Sequence, residues 1–298
     1  MNYFFIIISC LLLFPGCRKT SKDTSYLRVS VLRGPSAIAF AGWMKQAPEI
    51  ASRQLKIEIV DSPELIQAQI IKEETDIAVL PMIGAANLYT KGSRYKLAGC
   101  PIWGTLYLAA RDSFRSIHLF GAGTTPDILT RHYLEKESLA YKLNYAFPTP
   151  REILHGIRAG KVNAAVLSEP FLSMALKADS TWHVQADLNA PNDASEGFAQ
   201  TAIVYLPWLQ PYQTEIDSLL AQTCRFANNH PSETIRTLEK GGVFAPGMLT
   251  AESIERCKIT YRTAKEAEPG IRSFLEVIEQ YEPKAIGGRL PDRSFTLH

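Results

Sequence analysis

The chain has 298 residues, 46% of them hydrophobic and 21% charged, with a formal net charge of +2. That length supports two domains of common size. The near balance of charge gives no reason to expect nucleic acid, because the densest basic cluster, Arg18, Lys19 and Lys22, is a short run without interleaved aromatics.

Residues 3–14 are almost wholly apolar and lead into Pro15, Gly16 and Cys17. The run is shorter than the roughly 20 residues of a spanning helix and suits the core of a signal peptide. Gly16-Cys17 resembles a bacterial lipobox, with Phe14 and Pro15 as departures and no Lys or Arg ahead of the apolar run. The expectation is a signal peptide over 1–16, lipidation of Cys17, a polar tether over 17–26, and a body on the extracytoplasmic side of the cell envelope. Farther on, Cys100, Cys224 and Cys257 permit at most one internal disulfide, through three alternative pairings.

The body is written twice. Residues 27–32 (LRVSVL) break at Gly34, Pro35 and Ser36 into a helix-like AIAFAGWMKQA, and residues 116–120 (SIHLF) break at residues 121–126 (GAGTTP) into DILTRHYLEKESL. Ser or Thr at such breaks caps the first free N–H groups, and Pro suits the first turn, where its missing donor costs nothing. A second strand follows in each half, LKIEIV from Leu55 and KLNYAF from Lys142, and each leads to a helix started by Pro63 or Pro150. The third strands are near copies, DIAVLP at 76–81 and NAAVLSEP at 163–170. Short strands alternating with helices predict right-handed βαβ units, so the fold class is α/β with two lobes, each a βα-repeat sheet.

The outgoing connection between lobes falls near residues 95–110. The return falls at 197–207, where FAQTAIVYL reads as a strand ending at Pro207. Lobe one therefore takes 27–105 and 205–298, and lobe two takes 106–204, with the two crossings as a hinge. Beyond the return the pattern predicts helices over 212–229, 232–240, 251–267 and 271–281, with Pro269-Gly270 among the breaks.

In an open α/β sheet the crevice lies at the carboxyl ends of the strands, where helix N-termini present free N–H groups. The candidate ligand-binding residues are therefore Gly34, Pro35 and Ser36 on one lobe and Gly123, Thr124 and Thr125 on the other. Met82 and Glu169 follow the third strands, and Trp103 near the crossing offers a stacking surface. The structural alternatives are helix capping for the turns, a capping acceptor or an interlobe contact for Glu169, and hinge packing for Trp103. Arg33 offers either a bidentate clamp for a carboxylate or sulfonate or, as the commoner case, a solvated surface charge, and Asp127 a charge for the first turn of its helix. The six histidines are scattered without an i, i+4 pair and no C-x-x-C occurs, so neither a metal nor a cofactor is expected.

The series GPSAIAF, TDIAVLPMIGAANLYTKG, YKLAGCPIWGTLYLAAR, GTTPDILTRHYLEK, GKVNAAVLSEPFLSMAL and the terminal AIGGRLPD resembles the solute-binding proteins of ABC importers, in their nitrate, sulfonate and taurine branch. The resemblance runs over residues 27–291. It implies a type II periplasmic-binding-protein fold, an anionic or heteroaromatic organic solute between the lobes, and delivery to a membrane permease with its ATPase. The alternative is an enzyme or ligand sensor on the same fold, akin to proteins of menaquinone or thiamine-pyrimidine biosynthesis. No G-x-S-x-G, H-E-x-x-H or persuasive carboxylate pair occurs, so no catalytic residue is expected.

Overall fold

The computed structural model describes residues 25–189 and 197–297. The signal peptide 1–16, Cys17 and most of the tether lie outside the described residues. The first strand, β1 (Tyr26–Leu32), lies between β3 (Arg53–Val60) and β4 (Ile77–Pro81), parallel to both. The expected helix after β1 is split into α1 (Pro35–Ala39) and α2 (Ala41–Lys45) at Phe40. Helix α3 (Pro63–Ile71) starts at Ser62, whose hydroxyl accepts from Leu65 N–H, and α4 (Met82–Thr90) follows β4 directly.

The second half repeats this plan. Strand β7 (Ser116–His118) lies between β8 (Lys142–Asn144) and β9 (Ala164–Leu167), again parallel to both. Helix α5 (Thr125–Lys136) joins β7 to β8, α6 (Pro150–Arg158) joins β8 to β9, and α7 (Phe171–Ala178) follows β9. Thr149 and Glu152 close a capping box at the start of α6, satisfying two otherwise unpaired donors.

The two halves exchange strands. Strand β5 (Lys96–Ile102) belongs to the first sheet, and the chain then crosses to β6 (Tyr107–Ala110), antiparallel to β9 in the second. After β10 (His183–Asp187), paired with β6, it returns as β11 (Thr201–Tyr205), antiparallel to both β4 and β5. All of β11 thus lies in the first sheet, so the return is complete at Thr201 rather than at 205. With β2 (Glu49–Ile50) and β12 (Ile259–Thr263) at the edges, the first sheet runs β12-β5-β11-β4-β1-β3-β2 and the second β10-β6-β9-β7-β8.

The C-terminal region departs from the expectation. Helices α8 (Gln213–Asn229) and α9 (Pro231–Lys240) form as read, but 251–267 is not one helix. It divides into α10 (Ala251–Glu255), strand β12 and the start of α11 (Ala264–Tyr281). The strand exists because β5 offers an edge. Gly99 admits it closely, since a Cβ there would lie 2.1 Å from the Arg262 carbonyl oxygen. Nor does Pro269-Gly270 break α11, which runs through both residues. A Cβ on Gly270 would sit 2.6 Å from the Trp103 ring, so this pair makes a notch in the helix surface rather than a stop.

One hydrophobic cluster spans both halves through Trp103, Leu106, Phe198 and Phe274; Phe198 and Phe274 have ring centroids 5.6 Å apart. Each such side chain removed from water stabilises by roughly 1.5–3 kcal/mol, which holds the halves together beside the crossings. Cys100, Cys224 and Cys257 are free, buried thiols, and burial pushes Cys100 and Cys224 up to about 12. As un-ionised thiols they pack as small apolar groups.

Candidate functional site

The carboxyl ends of β1, β4, β7 and β9 open onto a cleft of about 750 Å³. On one wall Gly34, at φ +115°, turns the chain out of β1 in a conformation that disfavours residues with a Cβ. Pro35 and Ser36 then line the cleft, and the Ser36 hydroxyl makes no hydrogen bond among the described residues. On the other wall Gly121 and Gly123, at φ +66° and +73°, form the corresponding turn. Thr124 N–H and its hydroxyl both donate to the Gly121 carbonyl, and Gly123 N–H donates to Asp127 Oδ2 at 2.8 Å. Asp127 is buried and also holds Arg131 and the Tyr145 hydroxyl, so it organises the turn as its position in the first helical turn suggested. Gly123, Thr124 and Thr125 all line the cleft.

Met82, Trp103 and Glu169 lie outside the cleft lining. Met82 is wholly buried in the core, while its neighbours Pro81 and Ile83 reach the cleft. Trp103 is buried too, donating from Nε1 to the Thr260 carbonyl at 2.8 Å, with the Arg262 guanidinium 5.3 Å from its ring centroid. It packs the hinge and presents no stacking face to the cleft. Glu169 is 1% exposed and accepts from Ser173 N–H at 3.1 Å and from Arg256 Nε at 2.6 Å. Its carboxylate is both a cap for α7 and an ion pair with the segment after α10. Ser168 just before it lines the cleft instead. Arg33 reaches the cleft, but its guanidinium is held by Asp61 and by the Val243 carbonyl.

Several lining residues carried no sequence signal strong enough to single them out. Glu64 and Gln67 on α3, and Gly84 and Asn87 on α4, are pairs at i, i+3 that turn one helix face to the cleft. Thr105 and Gln200, from the two crossings, form its floor and are cross-tied. Thr105 Oγ1 donates to Gln200 Oε1 at 2.9 Å, and Gln200 Nε2 donates to Asn189 Oδ1 at 2.8 Å. Asn189 Oδ1 also accepts from Thr105 N–H and Leu106 N–H, at 2.8 and 2.9 Å. The outgoing and returning chains are thus stapled by one buried polar network, a fixed pivot beneath the cleft.

No family model matches the chain, and no curated protein does. Among solved structures, an ABC transporter protein from Parabacteroides distasonis is 56% identical, with a TM-score of 0.89 over 91% of this chain and 98% of that one. The periplasmic aliphatic sulphonate binding protein SsuA of Escherichia coli aligns with a TM-score of 0.64 at 16% identity, over 90% and 92% of the two chains. A Candida albicans protein described as having the generic periplasmic binding protein fold aligns at 0.55 and 13%, over 91% and 93%. The last two establish a shared fold, and the first establishes kinship. This chain therefore belongs to the same family as that Parabacteroides ABC transporter protein and has the periplasmic-binding-protein fold.

Proposed function

We propose that the protein captures a small organic solute in the interlobe cleft and hands it to a membrane permease coupled to an ATPase. The observation that carries this reading is the meeting of the two duplicated strand-to-helix turns across a cleft of about 750 Å³, in a chain 56% identical to an ABC transporter protein. That volume lies in the range of small-molecule sites. The lobes, in outline 27–105 with 205–298 and 106–204, turn about the two crossings and close over the solute. Among the predicted binding residues, Gly34, Pro35, Ser36, Gly123, Thr124 and Thr125 form its walls. Cys17 is the lipid-bearing first residue of the mature protein and holds it at the extracytoplasmic membrane face. Transport proteins among the neighbours favour binding over catalysis.

Small-angle scattering before and after dialysis against a metabolite extract tests the central claim. A retained solute accompanied by a smaller radius of gyration is expected; a retained solute at unchanged radius refutes closure. Intact mass spectrometry of the native protein tests the anchor, and any N-terminus other than modified Cys17 removes it.

A further inference from the structure

The charged groups lining the cleft, among the described residues, are Arg33 and Glu64. They are not equivalent. Arg33 is charge-paired with Asp61 through Nε and donates from Nη1 to the Val243 carbonyl, whereas Glu64 is exposed and makes no ion pair or hydrogen bond among the described residues. Among those residues the cleft therefore offers an unpaired carboxylate, while the charge of Arg33 is already balanced by Asp61.

The helix starts around the cleft do not redress this balance. A helix N-terminus attracts an anion through unpaired N–H groups and the positive end of its dipole. Here Pro35, Pro63 and Pro150 stand in the first turns of α1, α3 and α6 and bring no N–H. Glu64, Asp127 and Glu152 place a carboxylate in the first turns of α3, α5 and α6. Several donors nearby are taken, Gly123 N–H by Asp127, Thr124 N–H by the Gly121 carbonyl and Thr149 N–H by Glu152, while the Ser36 hydroxyl stays open.

The side chains show the same bias toward acceptors. Asn87 Nδ2 donates to the carbonyls of Lys284 and Ala285, at 3.2 and 3.1 Å, which leaves its Oδ1 for a solute. The hydroxyl proton of Thr124 is taken by Gly121 O, which leaves its lone pairs, whereas the Thr149 hydroxyl both donates to Glu152 Oε2 and accepts from Glu152 N–H. The Gln67 amide has no hydrogen bond among the described residues. An anion entering this cleft would lose hydration and meet the unpaired Glu64 carboxylate with mostly neutral donors in return, while a solute bearing N–H groups would find acceptors already in place.

We infer that the solute is a small neutral or protonated nitrogen compound that presents N–H donors to Glu64, Gln67 and Asn87, and that it is not a sulfonate, carboxylate or nitrate. The inference rests on the reading of the cleft as the solute site. Matched probes test it on the full-length protein in mild detergent, by calorimetry and thermal shift: benzamidine and 4-aminopyrimidine against benzoate, benzenesulfonate and nitrate. Benzamidine is expected to bind at least about tenfold more tightly than benzoate and to lose about tenfold in Glu64→Gln. 4-Aminopyrimidine is expected to bind more tightly than benzenesulfonate or nitrate and to weaken in Gln67→Ala. The inference is overturned if any of the anions binds as tightly as the nitrogen probes, or if neither nitrogen probe binds at millimolar concentration. It is also overturned if neither substitution changes their affinity. Dialysis against metabolite extract separates the two levels, because a retained solute in any of those cases leaves the solute-binding reading standing while the assigned class falls.

Discussion

The lobes meet at two places of opposite electrostatic character. In the cleft the walls are mostly uncharged and several polar groups lack partners among the described residues, Ser36, Glu64 and Gln67 among them. At the contact made by residues 256–258 the polar groups are paired. Arg256 Nε meets Glu169 at 2.6 Å, Arg256 Nη2 donates to Ser173 Oγ at 2.7 Å, and Lys258 Nζ meets Asp187 at 2.6 Å. The Tyr107 hydroxyl donates to the Arg256 carbonyl at 2.7 Å. A charge sealed between packed surfaces is tolerable only when paired, whereas a site that exchanges water for solute needs groups left open. Pairing, rather than the number of polar residues, separates the joint from the site.

The largest test of this contrast lies in the joint. Arg256→Ala leaves the fully buried Glu169 carboxylate with Ser173 N–H as its remaining partner, and is expected to cost about 3–5 kcal/mol in chemical denaturation. Adding Glu169→Gln should recover part of that loss. A cost below about 1 kcal/mol would show that the pair is not sealed as described.

Packing at the hinge should respond next. Gly270→Ala places a methyl 2.6 Å from the Trp103 ring, an overpacking expected to cost about 1–3 kcal/mol in stability. An unchanged melting temperature would mean that Trp103 yields freely, which its hydrogen bond to the Thr260 carbonyl argues against.

Cleft substitutions should leave stability nearly intact and act on binding. Ser36→Ala removes a hydroxyl without an internal partner, and about 0.5–1.5 kcal/mol of affinity should go with it. Thr124→Ala should cost less affinity, because that hydroxyl proton is already taken by Gly121. Calorimetry with the retained solute ranks the two, and the reverse order would mean that the solute leans on the second lobe.

The smallest effect is a slope with pH. Burial holds His118 and His132 below the usual histidine pKa. The unfolded chain takes these protons first once pH falls below about 6.5, so the stability present above that point declines on acidification. Denaturant midpoints at about pH 7.5 and about pH 5 should differ less in His118→Gln than in the parent. Equal differences would assign the slope to other groups.

Residues that work through local chemistry were legible in the chain alone. The turn at Gly34 and that at Gly123 announce themselves by glycine followed by Pro or Thr, because backbone geometry and capping are decided within a few residues. The βα repeat was legible for the same reason, as were both crossings, since apolar strands broken by proline are short-range signals. Tertiary structure decided the rest. Strand β12 exists because β5 offers an edge and Gly99 lets it approach, which no pattern within 251–267 reveals. In the sequence Glu169 reads either as a cleft carboxylate or as a cap and interlobe contact, and Arg256, far along the chain, decides for the contact. Glu64, Gln67 and Asn87 came to line the cleft when α3 and α4 packed side by side along β4. Hydrogen-bonding capacity is set by residue type, but which of it stays free depends on partners brought together only when the chain has folded.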